Sequence, residues 1–448
     1  MILHSTTETP PSQQAWQRRS LDAVWHPCTQ MARAAVVPPL PIARGEGPWL
    51  FDYEGNRYFD ANSSWWVNLF GHSDDGIKNA IKQQLDTLAH VMLAGCTHAP
   101  AVELAEKLSA LTDGALGHTF FASDGASAVE IALKMSFHSW RNRGLDAKRE
   151  FVCLRHGYHG ETIGALAVTD VAVFRNAYAP LLMHAHVVAS PDSRQGEGSE
   201  AFALAELRAV LQARHGHIAA LIIEPLVQCA AGMAMHEPSY LRAVRALCDE
   251  FDIHLIADEI AVGCGRTGTF FAFEQAQSGW PDFITLSKGI SGGTLPLSLV
   301  LTTEAVYQCF WSDEVARGFL HSHSYTGNAL ACAAANAVLD RFANANVLEN
   351  NRDQALWLQQ AFAPLQADTR VLHLRQRGMI LAFDVRPELV GQRFAERFHL
   401  AARQHELLIR PIGNTVYLMP PYLIDEATAQ FLAHAVTQTL NETLRHAA

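Results

Sequence analysis

The chain uses arginine freely but keeps only six lysines, and from residue 149 to residue 448 Lys288 is the only one. Its neighbours are apolar or small: Ile284-Thr285-Leu286-Ser287-Lys288-Gly289-Ile290-Ser291-Gly292-Gly293. A primary amine in such a setting is poorly solvated. Desolvation lowers an ammonium pKa and frees the nitrogen lone pair for attack on a carbonyl. Thirty residues earlier, Asp258-Glu259 sits between the apolar run Ile253–Ala257 and Ile260-Ala261-Val262. A carboxylate there needs a partner, because burying an unpaired charge costs several kcal/mol. If the two runs are neighbouring parallel strands, Asp258 and Lys288 share one crevice, as a reactive pair or as a structural salt bridge.

Two further segments have the composition of a ligand site. Ser123-Asp124-Gly125-Ala126-Ser127 follows an apolar run and opens a helix whose inner face reads Val129, Ala132, Leu133, Phe137 and Trp140. Small residues at a helix start leave N–H groups free for a phosphate, or form an ordinary cap. Arg155-His156-Gly157-Tyr158-His159-Gly160 holds an aromatic between glycines, able to stack on a flat ring or to close a turn. A phosphate cup, a stacking tyrosine, a buried carboxylate and a desolvated lysine together suit pyridoxal 5′-phosphate. The lysine would form the Schiff base and the carboxylate would hold the pyridine nitrogen protonated.

These residues need a scaffold that brings them to one edge. Short apolar runs at His118–Ala122, Phe151–Leu154, Ala219–Ile223, Ile253–Ala257 and Phe283–Leu286 alternate with helical patterns. That alternation predicts an α/β fold with a mostly parallel central sheet, whose ligands bind at the carboxyl ends of the strands. The expected divisions are an N-terminal segment 1–75, a large domain 76–343 and a smaller α+β domain 344–448. Hairpins are expected at Gly55-Asn56 and at Gly413-Asn414, the second joining Leu407–Ile412 to Thr415–Leu418.

Lys+Arg 34 against Asp+Glu 45 gives a net charge of −11, which disfavours a nucleic-acid partner. No apolar window approaches the ~18 residues of a membrane helix, and the N-terminus lacks a signal-peptide core. The eight cysteines have no metal-like spacing, so the expectation is a cytoplasmic protein with reduced thiols and no metal.

Ile256-Ala257-Asp258-Glu259-Ile260, Gly263-Cys264-Gly265-Arg266-Thr267-Gly268, Ser287-Lys288-Gly289 and Gly327-Asn328 resemble the class III aminotransferases of fold type I. The resemblance implies a pyridoxal phosphate enzyme acting as a homodimer with its sites at the subunit interface. Trp25-His26-Pro27-Cys28-Thr29-Gln30-Met31, Ser63-Ser64-Trp65-Trp66, His90-Val91-Met92, Thr97-His98-Ala99-Pro100, Arg410-Pro411 and Tyr417-Leu418-Met419-Pro420-Pro421-Tyr422 narrow it further. They are similar to the branch that aminates 8-amino-7-oxononanoate to 7,8-diaminononanoate with S-adenosylmethionine as donor, a step of biotin biosynthesis.

By that resemblance Lys288 carries the cofactor, Asp258 faces its pyridine nitrogen, Asp124 and Gly125 hold its phosphate, and Tyr158 packs on it and touches substrate. His323 and Ser324 would complete the phosphate site from the other subunit, with Ser322 beside the substrate. Trp65 and Trp66 would wall the pocket, and Arg410 would take the carboxylate of 8-amino-7-oxononanoate. Cys28 borders the substrate where better-known members have tyrosine, so the hydrogen bond of a phenol is lost or supplied elsewhere. The rival readings are a broad ω-amine:pyruvate or 4-aminobutyrate aminotransferase, a different reaction of the same cofactor, and a binding protein without turnover.

Overall fold

The computed structural model describes residues 12–445. In chain order, β1 (Ile42–Glu46), β2 (Trp49–Asp52) and β3 (Arg57–Asp60) form an antiparallel meander. The β2–β3 turn runs through Gly55, whose φ of +88° suits glycine. Then come β4 (His118–Ala122), β5 (Glu150–Leu154), β6 (Ala185–Val188) and β7 (Ile218–Ile223). A short ladder, β8 (Val227–Gln228) with β9 (Ala234–Met235), precedes β10 (His254–Asp258), β11 (Phe283–Leu286) and β12 (Ser298–Thr302). The C-terminal part holds β13 (Val371–Arg377), β14 (Ile380–Val385), β15 (Leu407–Leu408) and β16 (Thr415–Leu418).

The central sheet has seven strands in the order β4-β12-β11-β10-β7-β5-β6. The run from β11 to β6 is parallel, and β12 lies antiparallel between β4 and β11. Alternation along each strand explains why both faces are dry. Val152, Leu154, Leu221, Ile223, Leu255 and Ala257 belong to one apolar cluster. The residues between them, Phe151, Cys153, Ala220, Ile222 and Ile256, belong to a second, which the helix Gly125–Asn142 completes with Val129, Ala132, Leu133 and Trp140. The five strands read from sequence are all present, with the fourth realised as His254–Asp258.

The expected second hairpin is not formed as read. Leu407 and Leu408 pair in parallel with Phe59 and Asp60 of β3, and only a single bridge, Ile412 to Thr415, closes the Gly413-Asn414 turn. Pro411 has no N–H to offer a ladder, and the Arg410 N–H is donated to Asn62 Oδ1 at 2.7 Å. The meander of the N-terminal segment therefore becomes one four-stranded sheet with β15. β13, β14 and β16 form a separate antiparallel sheet.

Candidate active site

Parallel pairing of β10 with β11 sets Asp258 opposite Thr285, three residues before Lys288. Asp258 is 4 % exposed, yet all its partners are hydrogen-bond donors rather than a fixed cation. Oδ1 accepts from Thr285 Oγ1 at 3.0 Å and from the Ile260 N–H at 3.2 Å. Oδ2 lies 2.7 Å from His159 Nδ1. Lys288 follows with φ +49°, a conformation that L residues hold only where the surroundings impose it. Its Nζ lies 4.9 Å from the centre of the Trp66 ring. Burial lowers the Lys288 pKa, and the negative field of Asp258 opposes that shift only in part. No Asp258–Lys288 salt bridge forms among the described residues, so the amine is left for chemistry.

The loop after β5 places Tyr158 half-buried, its hydroxyl donating to Glu161 Oε1 at 3.0 Å. Gly160 adopts φ +123°, and a Cβ there would stand 2.6 Å from Ala126 Cβ. Only glycine lets this loop meet the start of the helix Gly125–Asn142. The Asp124 carboxylate caps that helix, accepting from Ser127 N at 3.0 Å and Ser127 Oγ at 2.8 Å. Its side chain is thus committed, and the first-turn N–H groups of Gly125 and Ala126 are the donors available to an anion.

The Trp65–Trp66 wall stands on an unusual turn. Ser63, Ser64, Trp65 and Trp66 all have positive φ, between +47° and +74°. A left-handed turn of L residues costs about 1–2 kcal/mol per residue. Its supports are visible: Asp60 accepts from Ser64 N at 2.9 Å and Ser64 Oγ at 2.6 Å, and Ser63 Oγ donates to the Met419 carbonyl at 2.7 Å. The turn leaves Trp65 50 % exposed and Trp66 buried, with Trp66 Nε1 donating to the Tyr417 hydroxyl at 3.0 Å. Arg266, 1 % exposed, braces it from behind by donating to the carbonyls of Trp66, Asn68 and Pro420.

Arg410 is exposed and makes no ion pair among the described residues; its Nη2 donates to the Cys28 carbonyl at 3.1 Å. The Cys28 thiol is within the fields of both Glu161 and Arg410, and burial is the main cause that raises its pKa. Lys288, Asp258, Tyr158, Trp66, Cys28 and Arg410 are therefore joined through shared neighbours. His323 is not: its ring nitrogen lies 2.9 Å from that of His321, and its N–H goes to Thr326. Ser322 and Ser324 are exposed, and the Ser324 carbonyl is 2.8 Å from His90 Nε2. Sequence reading gave no role to His159, Thr285, Glu161 or Arg266, whose partners are distant in the chain. Gln228 has both ends of its amide engaged, with Ser190 Oγ and the Arg155 carbonyl.

These residues fit pyridoxal 5′-phosphate. A free, desolvated amine, a buried carboxylate backed by a histidine, and open helix N–H groups meet at one sheet edge. Gly125 adds to the cradle, since a Cβ there would approach Ile260 Cδ1 to 3.1 Å. The fold and site define an enzyme of the pyridoxal phosphate type. The sequence model of Aminotransferase class-III matches residues 30–440, and the chain belongs to that family of pyridoxal phosphate-dependent aminotransferases.

A Helicobacter pylori relative described as adenosylmethionine-8-amino-7-oxononanoate aminotransferase is 42 % identical over 94 % of this chain and 97 % of its own. The crystal structure of the Methanocaldococcus jannaschii protein of the same description superposes with a TM-score of 0.91 at 34 % identity, covering 96 % of this chain and 99 % of that one. A Thermomicrobium roseum (S)-enantioselective omega-transaminase matches with a TM-score of 0.91 at 29 % identity, covering 98 % and 100 %.

Proposed function

We propose that the protein transfers the amino group of S-adenosylmethionine to 8-amino-7-oxononanoate, giving 7,8-diaminononanoate for biotin biosynthesis. The observation that carries this reading is the mouth of the site. Cys28 stands within the fields of a carboxylate, Glu161, and of Arg410, a guanidinium without an ion-pair partner among the described residues. One pocket must accept a cationic donor and an acceptor with an anionic tail, and charges of both signs at its rim serve each in turn. Arg410 grips the carboxylate in a two-pronged fashion, and the indoles of Trp65 and Trp66 line the aliphatic chain. The family names borne by the Helicobacter and Methanocaldococcus relatives support the same substrate.

When bound, pyridoxal 5′-phosphate supplies an electron sink that makes the carbon bearing an amine acidic. Asp258 would hold the ring nitrogen, Tyr158 would pack on the ring, and Gly125 and Ala126 would donate N–H groups to the phosphate. Lys288 would hold the cofactor and, as a free amine, would move a proton to and from the reacting carbon. Burial, which lowers its pKa, favours the neutral amine over the ammonium.

The protein works as a homodimer in the cytoplasm, with His323, Ser324 and Ser322 completing the partner's phosphate and substrate sites. Leu320 and Tyr325 flank that segment and are 78 % and 65 % exposed, an apolar surface suited to a second copy. No helix among the described residues is long and apolar enough to cross a membrane. Segment 1–75 contributes to the small domain 344–448 beside the large domain 76–343, a reading supported by the four-stranded sheet that ties β3 to β15.

The test is product analysis by mass spectrometry with 8-amino-7-oxononanoate as acceptor and S-adenosylmethionine, lysine or an ω-amine as donor. Formation of 7,8-diaminononanoate with S-adenosylmethionine at the highest kcat/KM is expected. Preference for ω-amines with pyruvate as acceptor would establish the broad aminotransferase instead.

A further inference from the structure

One buried carboxylate beside the site has no role in the chemistry above. Glu224 follows β7, the strand between β10, which ends in Asp258, and β5, which leads into Tyr158 and His159. It is 5 % exposed. Oε2 accepts the Tyr158 N–H at 3.0 Å, and Oε1 accepts the Cys229 N–H at 3.0 Å. One side chain thus ties the loop carrying the stacking tyrosine to the segment after β7. That segment is strained: Leu226, fully buried, has φ +67°. Such a conformation in a bulky residue persists only where the surroundings fix it, and here the turn brings Cys229 N onto Glu224.

The two N–H groups fall on different oxygens, so a carboxylate satisfies both, whereas a neutral amide would turn its NH2 against one of them. His159 and Tyr158 face Glu224 from the loop after β5, Asp258 from β10 and Lys288 from beyond β11. Cys229 lies on its own segment, and His236 Nε2 is 3.5 Å from the Glu224 carbonyl. Burial keeps the Cys229 thiol protonated and lowers the His236 pKa to about 4, so neither contributes charge near neutrality.

We propose that Glu224 is a positioning residue for the cofactor, its carboxylate pinning the Tyr158–His159 turn beside Asp258 and setting a negative charge near His159 and Lys288. This rests on the cofactor reading above. Burial raises the Glu224 carboxyl to about 7, so the charge is developed only as the pH passes neutrality.

Glu224→Gln and Glu224→Asp holoenzymes, compared with wild type, provide the test. The readouts are the pyridoxal phosphate dissociation constant by equilibrium dialysis and the pH midpoint of the bound cofactor's visible band. Glu224→Gln is expected to bind the cofactor about tenfold more weakly. Its midpoint is expected to move about half a pH unit lower, because a charge favouring the protonated nitrogen is gone. Glu224→Asp keeps the charge, so its midpoint stays near wild type, while its shorter reach still weakens binding. Wild-type values of both constants in Glu224→Gln overturn the proposal. If Glu224→Gln does not fold, Glu224→Asp decides alone, and wild-type affinity in that variant overturns the positioning role. A wild-type protein that gains no visible band with the cofactor overturns this proposal and the cofactor reading together.

Discussion

His159 Nδ1 stands 2.7 Å from Asp258 Oδ2, the two side chains 1 % and 4 % exposed. Each holds the other in place at the carboxyl edge of the sheet, and a dry interior strengthens their attraction. Asp258→Asn removes the charge proposed to keep the cofactor's ring nitrogen protonated, and a loss in kcat of about a hundredfold or more is expected. His159→Phe leaves the Asp258 carboxylate without the ring that orients it, so a smaller loss in kcat, about tenfold, is expected. Steady-state kinetics on both variants check the order; equal losses would mean that the histidine does more than orient.

Arg410 is the exposed cation at the mouth of the site. Arg410→Ala is expected to raise KM for 8-amino-7-oxononanoate about thirtyfold, the worth of a charge-assisted hydrogen-bonded pair, and to leave KM for the donor near wild type. Arg410→Lys is expected to recover only part, since an ammonium lacks the planar fork. An unchanged acceptor KM in Arg410→Ala removes the carboxylate role.

The left-handed turn at Ser63–Trp66 depends on Asp60, which is 1 % exposed and also lies 3.0 Å from His72 Nε2. Asp60→Ala strands Ser64 and His72 and releases the strain. A loss of about 3 kcal/mol in urea unfolding is expected. Tryptophan fluorescence of the folded variant is expected to shift to the red as Trp66 leaves its buried position. A stable variant with unshifted fluorescence would show that the turn holds itself.

Much of this site was legible in the sequence, for local reasons. The five apolar runs mark strands because a sheet covered on both faces buries every residue of a run. Lys288 stands out because lysine is otherwise absent from that part of the chain. Legibility failed where pairing is long-range: His159 meets Asp258 across 99 residues, and Glu224 meets Tyr158 across 66. The antiparallel course of β12 also left no mark, because an apolar run carries no sign of direction. The expected second hairpin does not form because Pro411 offers no N–H to a ladder, and Leu407-Leu408 pair with β3 instead.

Glu259, next to Asp258, is structural: its oxygens accept the N–H groups of Ala272 at 2.9 Å and Phe273 at 2.8 Å. Burial raises its carboxyl to about 8, against an ordinary 4.5. The folded state therefore holds this proton more tightly than the unfolded chain. The resulting stabilisation is full below the ordinary value and is lost as the pH climbs towards 8. Glu224, raised to about 7, acts in the same direction. Thermal unfolding from about pH 5.5 to about pH 8.5 is expected to show a shallower fall in Tm for Glu259→Gln than for wild type. Parallel curves would mean that Glu259 stays ionised throughout.

The most direct measurement follows the visible band of the cofactor-loaded protein through two additions. S-adenosylmethionine alone, without acceptor, is expected to remove the band, and 8-amino-7-oxononanoate added next is expected to restore it. Lys288→Ala is expected to show neither change. A band that S-adenosylmethionine leaves untouched while simple ω-amines bleach it would contradict the donor, and with it the proposed place of the enzyme in biotin biosynthesis.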